Sequence, residues 1–126
     1  MGGLDLGENY DISIHMEKSS VIAALSALAQ DTRLDIYRLL VQAGPSGLAA
    51  GRIGEQLKLP SATLAFHLKE LKNARLAGCT RHGRSLIYAA EYPTMNGLLA
   101  YLTENCCGIG VACPPVCTPT PARRTA

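Results

Sequence analysis

At 126 residues, 48% hydrophobic and 17% charged, the chain is sized for one domain with a buried core and is small for an enzyme with a deep cleft. Its formal net charge of +2 decides nothing about nucleic acid, so the placement of the charges has to carry that question. No apolar run is long enough to span a bilayer, and with no Trp and a single Phe the packing falls to aliphatic side chains.

Residues 1–18 mix Gly, Asp, Glu and Ser and read as a flexible N-terminal arm, with Met16 a second candidate start. Met1 to Glu17 has acidic residues and lacks the apolar stretch of a secretory signal, so a cytoplasmic setting is expected. Cysteines stay reduced there. Five cysteines, an odd number, also fit a disulfide framework poorly.

Ser19 or Ser20 is a candidate N-cap for a first helix of small and apolar residues beginning at Val21. Asp31 is the expected cap of a second helix, Thr32 to Val41. Leu34, Ile36, Tyr37, Leu40 and Val41 are its apolar positions, with Arg33, Asp35 and Arg38 largely opposite. Gly44-Pro45-Ser46-Gly47 stops it. Ala49 to Leu57 reads as a short helix. Ser61 to Ala74 is the clearest one, with Leu64, Leu68 and Leu71 forming one apolar stripe. Two short helices joined tightly, the second turning polar residues outward, describe a helix-turn-helix. Ala77 to Ala90 then reads as a β-hairpin around His82-Gly83, with Tyr92-Pro93 breaking the strand. A last helix is expected over about Thr94 to Asn105, and from Pro114 onward the Pro/Thr-rich composition indicates a disordered tail.

Leu28 to Leu40, Pro60 to Leu76, and Arg81-His-Gly-Arg84 followed by Leu86-Ile-Tyr88 resemble, in turn, the opening, recognition helix and wing of ArsR/SmtB-family repressors. The resemblance spans residues 19–107. It implies a mainly α fold with a small β-hairpin, a homodimeric winged helix-turn-helix that binds operator DNA and leaves it when a metal or metalloid binds. Recognition-helix duty falls on Ser61, Thr63 and His67, with Phe66 where many relatives have a polar residue. Lys69 can reach phosphate, and Arg81 and Arg84 on a protruding hairpin suit phosphates or the minor groove. Arg52 and Lys58 are further phosphate candidates. The plainer alternative for both elements is a solvated helix face and a soluble turn.

Cys106, Cys107 and Cys113 gather where the last helix is expected to stop, with Cys117 a further candidate ligand. Thiolates select soft ions. Trivalent arsenic is three-coordinate, whereas tetrahedral zinc wants four ligands. The Cys-Cys pair followed by a Cys after five residues resembles the As(III) site of one ArsR subgroup. The other arsenic site of this family needs cysteines between Ala49 and Leu57, where there are none, and its divalent-metal site needs His on the last helix, which has none. The expected inducer is As(III), Sb(III) or methylarsenite, the last needing only two thiols, with no organic cofactor. Alternatives are inert thiols at a helix end and a redox switch joining Cys107 to Cys113 or two dimers. Cys79 reads as structural, and His15 and His82 as solvated. No Cys-x-x-Cys motif and no acid or His paired with a thiol suggests an enzyme. Residues 108–126 are expected to form a flexible Cys/Pro-containing tail.

Overall fold

The computed structural model describes residues 16–104. Their elements are, in order, α1 (Lys18–Leu28), α2 (Asp31–Ala43), β1 (Leu48–Ala49), α3 (Ala50–Leu57), α4 (Ser61–Asn73), β2 (Ala77–His82), β3 (Ser85–Ala90) and α5 (Tyr92–Thr103). The fold is mainly helical, with one small antiparallel sheet of strand order β1-β3-β2.

Three helix starts differ from expectation, each for a local reason. α1 begins at Lys18, its first turn closed by the Val21 amide on the Glu17 carbonyl at 3.0 Å, so Ser19 and Ser20 lie inside the helix. α2 is capped by Gln30, whose side-chain oxygen accepts from the Arg33 amide at 2.8 Å; Asp31 is its first residue, where a carboxylate suits the helix dipole. α5 opens at Tyr92 with Pro93 in its first turn. Proline there gives up only an amide that had no partner, so Tyr92-Pro93 starts a helix, the strand having ended at Ala90.

The expected hairpin is in fact the larger part of a three-stranded sheet. Leu48 and Ala49 pair with Tyr88 and Ile87. Two residues show no alternation, so this strand had no pattern to detect. Gly47, at φ +76, makes the approach possible, since a Cβ there would run into the Tyr88 carbonyl oxygen. At the other end of the hairpin, His82 faces Ser85. The two-residue turn is therefore Gly83-Arg84, one position later than expected, with Gly83 at φ +63.

The core joins α2, α3 and α4 through Ile36, Leu40, Ile53, Leu68 and Leu71, all fully buried with Leu76. Each such side chain contributes about 1.5–3 kcal/mol over its exposed state. Val21, Ala24 and Ala27 of α1 and Leu98 of α5 close it on one side. Among the described residues, no helix is long and apolar enough to cross a membrane.

Candidate nucleic-acid interface

α4 is built as the sequence pattern requires on its inner side: Leu64, Leu68 and Leu71 are buried. Rotation by about 100° per residue then turns Ala62, Phe66, Lys69 and Asn73 to the far side, with Thr63 beside them. All five are exposed, as is Ser61 at the helix start. Pro60 holds the N-cap position, and Leu64 closes the first turn on its carbonyl at 2.9 Å. α3 leads into α4 through Lys58, which takes the left-handed conformation at φ 56.

His67 is a correction. It is only 8% exposed, close to Leu64 (4%) and Leu68 (2%), and belongs to the inner face, so it does not stand with Ser61 and Thr63. Its Nδ1 lies 3.3 Å from Nη1 of Arg33. A guanidinium can only donate, so Nδ1 is the acceptor and the ring proton sits on Nε2. Arg33 in turn donates through Nε to the Ala27 carbonyl at 2.7 Å. One half-buried arginine thus ties the C-terminal end of α1 to α4. Arg33 had been expected on the outward side of α2, and the i, i+4 pattern of α2 alone contains no signal for this reversal; Leu34, expected to be buried, is 43% exposed.

The hairpin stands beside the start of α4. Leu86 and Tyr88 of β3 face Ser61, Leu64 and Ala65 across an open, apolar groove of about 500 Å³. Arg81 pairs with Leu86 in the register, and directly opposed residues share a sheet face, so Arg81 lies on the groove side. Arg81, His82 and Arg84 are all exposed. Arg52 is exposed and sits 3.9 Å from Glu55, a solvent-screened pair of little energetic weight, and Lys58 is exposed as well.

The outer surfaces of α1 and α5 have a different character. α1 and α5 pack together, and their outer surfaces expose Ile22 (55%), Leu25, Leu99 (54%) and Leu102 (55%). α1 is apolar or small nearly all round, which suits a helix covered on more than one side.

Cys106, Cys107, Cys113 and Cys117 lie outside the described residues, as do the tail and all but the end of the N-terminal arm. Cys79 is half-buried on β2 and faces Tyr88. Burial pushes the Tyr88 phenol up, with the Cys79 thiol adding to it. Among the described residues, no three His, Cys, Asp or Glu side chains converge as a metal site.

Residues 28–77 match a family described as "Helix-turn-helix domain". Among curated proteins, none matches the chain significantly. Among solved structures, HlyU from Vibrio cholerae N16961 is 26% identical, with a TM-score of 0.56 over 69% of this chain and 97% of that one. An ArsR-like transcriptional regulator from Rhodococcus sp. RHA1 is 24% identical, with a TM-score of 0.60 over 69% and 78% of the two chains. The homodimeric winged helix-turn-helix DNA-binding domain Mb0332 from Mycobacterium bovis is 23% identical, with a TM-score of 0.55 over 69% and 81%. The chain therefore carries a helix-turn-helix within a winged-helix fold, the fold of these neighbours.

Proposed function

We propose that this chain is a homodimeric transcriptional repressor of ArsR type, released from its operator when As(III) binds the thiolates of Cys106, Cys107 and Cys113. The observation that carries the DNA-binding part is the division of the surface. One side presents the polar start of α4 beside the arginine-bearing turn of the hairpin, and the other presents exposed aliphatics on α1 and α5. A second copy covering those aliphatics sets the separation of two α4 helices, which have to meet half-sites about one helical turn of DNA apart.

The arsenic part is supported by sequence position and donor chemistry. Cys106 follows the end of α5 at Thr103 by three residues, so the Cys106-Cys107 pair comes directly after one of the two helices of the aliphatic face in the sequence. Three thiolates satisfy a pyramidal trivalent ion without a fourth ligand, and antimony(III) or methylarsenite uses the same or fewer sulfurs. A ligand that prefers the DNA-incompetent dimer by a few kcal/mol is sufficient for release.

Arsenite titrated into the full-length protein on a cognate duplex, followed by fluorescence anisotropy, tests this. Release is expected from the wild type, and retention in Cys106→Ser and Cys107→Ser. Equal release in all three sinks the site. Release by peroxide alone, reversed by a reductant, assigns the thiols to redox control.

A further inference from the structure

Phe66 is the only phenylalanine in the chain, and it is 55% exposed in the middle of the outward stripe of α4. The chain has one Phe and five Tyr, and Phe66 is a large exposed apolar residue on a helix face otherwise made of small and polar ones, so it is the apolar contact that this face of α4 can offer a partner. Its ring meets that of His67 in an edge-on arrangement, with centroids 5.4 Å apart and planes at 62°. His67 is itself held by Arg33, so the base of the phenyl ring rests on a fixed neighbour. Long helical side chains lean toward the N-terminus, so the ring covers the surface over Ala62, which is too small to obstruct it. Ser61, Thr63 and Lys69 are exposed on the same helix, and Arg81 and Arg84 are exposed on the neighbouring hairpin.

We infer that Phe66 is a specificity-determining residue that reads the 5-methyl group of a thymine in the major groove. This inference rests on the DNA-binding reading above. The occupant follows from the surroundings: the flanking cations favour a polyanion, and the apolar group that a major groove offers is the thymine methyl. Cytosine at that position presents an amino donor and no methyl, so the contact discriminates between pyrimidines without a hydrogen bond.

The test starts with duplexes enriched from a random library by the full-length protein. Each thymine is then replaced by deoxyuridine, which removes the methyl and leaves pairing intact. Wild type is expected to lose about three- to fivefold in affinity at one position per half-site, the worth of one buried methyl. Phe66→Ala, an exposed change that spares the core, is expected to bind thymine and uracil duplexes equally at that position, and Phe66→Leu to keep part of the preference. Wild-type indifference to uracil at every position, or the same discrimination in Phe66→Ala, overturns the inference while leaving DNA binding intact. Failure to enrich any duplex removes the DNA-binding reading and this one with it.

Discussion

The two sides of the molecule use exposed residues in opposite ways. On α4 and the hairpin, most exposed positions are short, hydroxylated or cationic, with Phe66 and Leu86 as the large apolar exceptions. On α1 and α5 they are aliphatic: Ile22, Leu25, Leu99 and Leu102. Both sides are held by the same core, so the contrast cannot come from packing needs within one protomer. It separates a surface suited to a polyanion from one suited to a second apolar surface, and it places the connection between them at Arg33, bonded at once to the end of α1 and to His67 of α4.

The largest expected effect tests the aliphatic side. Ile22→Glu combined with Leu99→Glu places charges where the second copy is proposed to sit. Sedimentation is expected to show a monomer, and DNA affinity to fall by about a hundredfold or more as the two half-sites lose their linkage. A variant that stays dimeric would assign α1 and α5 to some other purpose.

His67→Ala probes the connection. It removes a buried ring and leaves Arg33 without its acceptor, so urea unfolding is expected to show a loss of about 2–3 kcal/mol. An unchanged midpoint would return His67 to the outward set.

On the polar side, Arg81→Ala and Arg84→Ala are each expected to weaken binding evenly across sequences. Each should also reduce the slope of log affinity against log salt concentration by about 1. This separates them from Phe66, whose effect depends on the base and not on salt. A slope unchanged in both would detach the wing from the phosphates.

The smallest effect belongs to Tyr37, whose buried hydroxyl has no hydrogen-bond partner among the described residues. Burial pushes its phenol up from 10.0, with Tyr92 adding to it. The fold therefore holds the neutral form: stability is unaffected below pH 10 and falls as pH rises past that value, where the unfolded chain ionises first. Tyr37→Phe is expected to change stability at pH 7 by less than about 0.5 kcal/mol and to flatten the alkaline decline. A large loss at pH 7 would mean that the hydroxyl is engaged.

Much of this arrangement is legible in the residues themselves. The leucines of α4, the glycine stop after α2 and the turn composition around Gly83 are local patterns, and local patterns survive into the fold because short-range geometry sets them. His67 shows the limit. Its spacing put it on the flank of the leucine stripe, where a helical wheel leaves inward and outward nearly balanced. A partner thirty-four positions earlier, Arg33, goes with the inward placement.

The chain alone determined the helix order, the leucine stripe of α4 and the cysteine spacing near the C-terminus, because each is a matter of period or adjacency. Only the tertiary structure decided that Leu48 and Ala49 complete the sheet, that His67 turns inward, and that Phe66 is left uncovered while four aliphatics of α1 and α5 share its exposure. Those outcomes depend on which elements meet. A close backbone approach at Gly47 and an arginine reaching between two helices are contacts between distant segments, and periodicity along one segment carries no record of them.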